Sequence, residues 1–217
     1  SGPFLIIFLL IFGLPFNLAA QPPASWNQLA GVIVIDPGHG GQDNGARGTS
    51  GALEKDICLE LARKLANVLD KSYKVILTRN GDYSLPNIQR SATANHHKAD
   101  VFISLHAAAA FQHTTEGITL YQYEPVGPPD SNPKKTTPNN SPVKWRNIQM
   151  QHAASSSALA ASLQGHLATV GDPKQLRVQQ APLQVLAGAD MPAVVIEIGY
   201  LTHPQTEKNL TSDTQQT

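Results

Sequence analysis

The chain has 217 residues, with 16 lysines and arginines balanced by 16 aspartates and glutamates, so its formal net charge is zero. That length supports one domain with a real hydrophobic core. The neutral balance argues against a nucleic-acid partner, whose phosphates demand a cationic surplus, and against a polybasic membrane-surface protein. A hydrophobic content of 41% with only 15% charged residues excludes a largely disordered chain. The single cysteine, Cys58, rules out an intrachain disulfide and a thiolate-rich zinc site.

Residues 4–12, FLIIFLLIF, form an apolar run that Gly13, Pro15 and Asn17 break before Leu18-Ala19-Ala20. The run is far short of the ~20 residues that a membrane-spanning helix needs. It fits the core of a secretory signal over residues 1–20, with cleavage after Ala20 and export to the periplasm or the extracellular space. Residues 21–30 read as a polar, proline-bearing linker, and residues 31–212 as the catalytic domain. The segment 31-GVIVIDPGHGG-41 predicts a buried strand followed by a loop. Residues 54–70 predict a helix, with Ile57, Leu61, Leu65 and Val68 on one apolar face. A strand at 73–78 and a helix from Pro86 to Lys98 follow, then strands at 101–106 and 116–123.

Between Glu124 and Asn147 six of the 16 prolines fall among Asn, Ser, Thr and Lys. This stretch is too poor in apolar residues to hold its own core, and reads as an irregular surface insertion. A helix from about Met150 to Val170 comes next, then strands at 183-LQVL-186 and 192-PAVVIEIG-199. A short helix or turn from Pro204 to Leu210 closes the domain, and residues 213–217 read as a frayed tail. The order βαβαββαββα with strongly apolar strands points to an α/β fold.

Four residues sit where such folds keep their chemistry, in or beside loops past the carboxyl ends of strands. His39 follows VIVID, His106 ends VFISL, Glu197 ends AVVI, and Glu54 opens the first helix on its inward stripe. Two imidazoles and one carboxylate make a three-ligand zinc set with an open fourth position, and they also suit non-haem iron. Glu197, between Ile196 and Ile198, is costly to bury unless paired or protonated, and is the natural group to move protons. Blander readings stand beside these: a turn histidine at His39, a half-buried histidine at His106, a dipole-favouring acid at Glu54. His96, His97, His113, His152, His166 and His203 lie in polar helix ends or loops and read as structural, and HExxH is absent.

The segments VIVIDPGHGGQDNGARG, EKDICLELARKLANVL, YKVILTRNGD, ADVFISLHA and MPAVVIEIGYLTHPQTEKNL resemble those of the zinc-dependent N-acetylmuramoyl-L-alanine amidases, collinearly from about Gly31 to Leu210. The resemblance implies a mostly parallel central sheet of about six strands with helices on both faces. It implies one Zn²⁺ held by His39, Glu54 and His106, and Glu197 as the catalytic acid/base. It implies hydrolysis of the amide joining the muramic acid lactyl group to L-alanine of the peptidoglycan stem. Two positions depart from the pattern: Ala108 stands in a run of four alanines where Asn or Asp is usual, and His203 where Asn is common. The alternatives are an inactive zinc-holding peptidoglycan-binding module and a zinc hydrolase of another amide. The expected partner is peptidoglycan, with no nucleic acid and no membrane span once the signal is removed. An activator protein is possible but has no support in the sequence, and no substrate-binding residue is assigned.

Overall fold

The computed structural model describes residues 31–126, 145, 148–169 and 171–215. The signal segment 1–20, the linker 21–30 and most of the insertion 124–147 lie outside the described residues.

Six strands form one sheet: β1 (Val32–Pro37), β2 (Lys74–Leu77), β3 (Val101–Ala108), β4 (Ile118–Tyr123), β5 (Leu176–Ala181) and β6 (Ala193–Tyr200). Their spatial order is β2-β1-β3-β6-β4-β5. The pairs β1·β2, β1·β3 and β3·β6 are parallel, β4 runs antiparallel to β6, and β5 pairs parallel with β4 at the edge. The helices are α1 (Glu54–Leu69), α2 (Asn87–His96), α3 (Ala153–Ala168), the one-turn α4 (Gln184–Ala187) and α5 (Pro204–Gln215).

Alternation along the strands sorts the core into two layers. Ile33, Ile35, Ile103, Leu105, Val194 and Ile196 face α1, α3 and α5, meeting Leu61, Leu65, Leu163 and Leu210. Val34, Phe102, Ala193 and Val195 face the other way, against Ala94 of α2 and Val185, Leu186 and Ala187 of α4. Strands buried on both faces must be apolar throughout, which is why VIVI, VFISL and AVVI carry such continuous runs. Helix α1 forms because its apolar residues recur at helical spacing; Ile57, Leu61, Leu65 and Leu69 are all buried. No helix among the described residues is long and apolar enough to cross a membrane.

One expected strand is wrong. Leu183 caps α4 and Gln184, Val185 and Leu186 lie in that one-turn helix, and the fifth strand is Leu176–Ala181. A four-residue apolar run does not distinguish a buried strand from a buried helical turn. The true strand escapes a reading by pattern because it is an edge strand. Arg177, Val178, Gln179 and Gln180 are all exposed, so no apolar alternation marks them. Helix α5 also runs on to Gln215, beyond the expected end at Leu210.

Because β1, β3 and β6 are mutually parallel, their carboxyl ends share one rim of the sheet. That rim gathers the 37–45 loop, His106 and Glu197.

Candidate metal centre

The loop after β1 is held by buried arginines. Arg79 donates from Nε to the Pro37 carbonyl at 2.9 Å and from Nη2 to Gly38 at 2.6 Å and Lys55 at 2.8 Å. Arg90 donates from Nη1 to the Pro37 carbonyl at 2.7 Å and from Nη2 to His39 at 2.8 Å. The charge of Arg90 is met by Asp36, fully buried, whose Oδ1 lies 2.8 Å from Nη1. Asp36 also accepts from Thr78 Oγ1 and, at 2.7 Å, from Ser104 Oγ. A run of carbonyls that would be orphaned by the sharp turn is thus satisfied by two fixed guanidinium groups.

That scaffold holds His39 at φ 60°, a left-handed conformation that costs a non-glycine residue energy. Gly38 is required for packing: a Cβ there would lie 2.5 Å from the His106 ring. Gly45, at φ 63°, would bring a Cβ to 2.4 Å from Glu54 Oε2 and 2.6 Å from the His39 ring. Glycine at both positions lets backbone approach the cluster closely.

His39, Glu54 and His106 converge. His39 Nε2 is 3.0 Å, and His106 Nδ1 2.9 Å, from the same oxygen, Glu54 Oε1. The two rings pack edge to face with centroids 4.9 Å apart. Glu54 is held by backbone donors as well, Ala107 N to Oε1 at 3.0 Å and Ala46 N to Oε2 at 2.6 Å. Burial pushes its carboxyl up, but the hydrogen bonds from His106, His39 and Ala46 outweigh burial and hold it well below the usual range. His39 Nδ1 donates to Asp43 Oδ2 at 2.8 Å, which aims Nε2 at Glu54. The hydrogen bond to Glu54 is the main reason His39 titrates above its ordinary value, against the opposing effect of burial.

The donor set fits a metal ion. One ligand atom from each residue lies within 4.8 Å of the others, close enough to share a single cation. With carboxylates at both ring nitrogens of His39, a cation bound at Nε2 would take the place of the second proton the ring otherwise needs. Asp43 supplies the outer hydrogen bond that such histidine ligands use to fix tautomer and orientation.

Glu197 lies beside this cluster. It sits directly opposite His106 in the β3·β6 register, so the two side chains share a face. Its Oε2 is buried and has no hydrogen-bond partner among the described residues. Burial raises its pKa; the nearby His106 opposes that shift and the Glu54 charge reinforces it.

The loop carrying Glu54 has a second anchor on α5. Glu207, only 2% exposed, accepts from Thr49 Oγ1 at 2.7 Å, Ser50 Oγ at 2.6 Å, Ser50 N at 2.8 Å and Ala52 N at 3.1 Å. Burial acts to raise its pKa, but the Ser50 and Thr49 hydrogen bonds prevail and bring it to about 2. Asp43, Arg79, Arg90 and Glu207 hold the loops around the cluster, and the sequence does not single them out. The available signal is charge inside otherwise local motifs, as in TRNGD and HPQTEKNL. The remaining histidines stand apart from the centre. His96 and His97 pack on each other, His152 pairs with Asp190, His166 bonds the Ser162 carbonyl, His203 bonds Thr206, and His113 is exposed.

Comparison with known proteins places this arrangement. A family profile described as N-acetylmuramoyl-L-alanine amidase, Amidase_3, matches residues 33–217. The N-acetylmuramoyl-L-alanine amidase AmiC of Neisseria meningitidis serogroup B is 32% identical over 215 residues, covering 91% of this chain and 52% of that protein. AmiC of Escherichia coli O6:H1 is 29% identical, covering 93% of this chain and 53% of that one. The chain therefore spans about half the length of these relatives. Among solved structures, the catalytic domain of CwlV from Bacillus (Paenibacillus) polymyxa var. colistinus superposes with a TM-score of 0.60 at 28% identity, covering 85% of this chain and 89% of that one. AmiC2 of Nostoc punctiforme gives 0.61 at 27% identity, covering 85% of this chain and 88% of that one. The chain belongs to the Amidase_3 family of N-acetylmuramoyl-L-alanine amidases.

Proposed function

We propose that this chain is a zinc-dependent N-acetylmuramoyl-L-alanine amidase, hydrolysing the amide between the muramic acid lactyl group and L-alanine of the peptidoglycan stem. Family membership supports the substrate class, and the His39–Glu54–His106 cluster supports the metal. The observation that carries the chemistry is Glu197: a carboxylate with a buried, unpartnered oxygen, in register with His106.

His39, Glu54 and His106 would hold the zinc, which would supply a Lewis acid able to acidify water and to stabilise negative charge developing on a carbonyl oxygen. Glu197 Oε2, free of hydrogen bonds among the described residues and raised in pKa, accepts the proton of the attacking water. The same oxygen returns that proton to the departing alanine nitrogen as the C–N bond breaks. Asp43 keeps His39 in one tautomer, and the backbone amides of Ala46 and Ala107 keep Glu54 ionised and oriented. Arg79 and Arg90 hold the strained His39 loop before substrate arrives, so the ordering cost is met in folding and not at each turnover. The products are a glycan strand with free lactyl carboxylates and a free stem peptide. The apolar run at residues 4–12 supports export to the compartment where that substrate lies.

Zinc-loaded protein incubated with purified peptidoglycan tests this reading. New L-alanine amino termini appearing together with lactyl carboxylates are the expected result. Sedimentation with the wall without release of peptide contradicts catalysis, and release of any other amine contradicts the assigned bond.

A further inference from the structure

Directly paired residues in a sheet present their side chains on one face. The register sets His106 of β3 opposite Glu197 of β6, Glu197 opposite Thr119 of β4, and Thr119 opposite Arg177 of β5. These four residues form a single row across the sheet, leading from the candidate metal centre to the edge strand. At roughly 4.8 Å between strands, the Arg177 backbone lies about 10 Å from that of Glu197.

Arg177 differs from Arg79 and Arg90 in what it has to bind. Arg79 and Arg90 are buried and spend their guanidinium groups on loop carbonyls and Asp36. Arg177 is exposed, and no carboxylate among the described residues pairs with it. Its one hydrogen bond is a long one, 3.4 Å from Nη1 to the Glu116 carbonyl. The Glu116 carboxylate is engaged elsewhere, accepting from Gln175 Nε2 at 2.7 Å and facing His203 Nε2 at 4.0 Å. Between Glu197 and Arg177 in the register, Thr119 is 1% exposed. Tyr121, two residues further along β4 on the same face, lies within electrostatic reach of both Glu197 and Arg177. Burial and then the Glu197 charge raise the Tyr121 hydroxyl, and Arg177 opposes them.

We propose that Arg177 is a specificity-determining subsite: it binds a carboxylate on the peptide half of the substrate, about one residue beyond the amide presented to Glu197. The substrates preferred are muramoyl peptides whose second residue carries a free carboxylate. This rests on the amidase reading above. The unpaired cation, its place at the end of the row and its distance from Glu197 together select that chemistry. A planar guanidinium recognises a carboxylate through two parallel hydrogen bonds, which a carboxamide reproduces poorly.

The test uses the zinc-loaded full chain and two synthetic muramoyl dipeptides that differ only in a carboxylate or a carboxamide on the residue after L-alanine. Wild type should favour the carboxylate substrate by about 10–100-fold in kcat/KM, the range for a charge-assisted hydrogen bond, with most of the difference in KM. Arg177→Ala and Arg177→Gln should lose that preference, and Arg177→Lys should keep part of it. A cooperative thermal transition verifies that each variant folds, as expected for an exposed edge position, and Arg177→Gln serves as the deciding variant should Arg177→Ala not fold. Equal turnover of the two substrates by wild type, or a preference that survives in Arg177→Gln, overturns the subsite while leaving the amidase reading intact. Cleavage of neither substrate by wild type overturns the amidase reading and the subsite with it.

Discussion

The two halves of the sheet are built for different tasks. Around the parallel half, β2-β1-β3-β6, buried polar side chains sit in saturated networks, Asp36 with Arg90, Ser104 and Thr78 and Glu54 with two histidines and two amides, while Glu197 Oε2 alone among the described residues is buried without a partner. The other half, β4 and β5, leaves its outermost strand exposed, with Arg177 lacking an ionic partner among the described residues. Within those networks saturation fixes geometry, because their donors and acceptors are already committed. Open polar groups do the reverse and stay available to a ligand. The contrast predicts that substitutions in the saturated networks change stability and metal affinity, those at unpartnered Glu197 change turnover, and those on β5 change substrate preference.

Asp36→Ala should show the largest stability effect. It strips the charge partner from buried Arg90, at a cost of about 3–5 kcal/mol for a broken buried pair. Urea unfolding checks this; a loss below ~1 kcal/mol would show that the network is not what holds the loop.

Asp43→Ala removes the hydrogen bond at His39 Nδ1 and leaves the three proposed ligands in place. Zinc affinity should fall by about 10–100-fold with little change in folding stability. Competition with a chelating dye measures it. Unchanged affinity would show that the Asp43 hydrogen bond does not tune His39 as a ligand.

Glu207→Gln probes the anchor of the 48–52 loop and should cost roughly 1–3 kcal/mol at neutral pH. Its pH dependence has a defined sign. The folded pKa of about 2 lies below the ordinary 4.5, so Glu207 contributes its stability fully above pH 4.5 and loses it as pH falls towards 2. The gap between wild type and variant should therefore narrow when unfolding is repeated at about pH 3. A gap that widens there would contradict the assignment.

The same contrast governs how much the sequence discloses. VIVID, VFISLH and PAVVIEIG announce themselves because strands buried on both faces must be apolar, and His39, His106 and Glu197 lie at or just past the carboxyl ends of those strands. Glu54 is legible from its place on the inward stripe of α1, and it is buried as that stripe requires. Strand β5 is not legible: exposure frees its residues from any pattern, and LRVQQA looks like a loop. Asp43, Arg79, Arg90 and Glu207 are hidden for another reason. Each acts through hydrogen bonds fixed by tertiary geometry, as when Glu207 reaches Ser50 across 157 positions of sequence. No local periodicity reports such a contact.

The central claim is that Glu197 carries protons and does not ligate the metal. Glu197→Gln preserves shape and hydrogen-bonding capacity but removes the basic oxygen, so zinc content and stem-peptide release should separate. Elemental analysis of the variant should find close to one zinc per chain, while release from purified peptidoglycan falls on the order of 10²–10⁴-fold. Normal release with normal zinc would contradict the proton-transfer role, and loss of zinc along with release would make Glu197 a ligand.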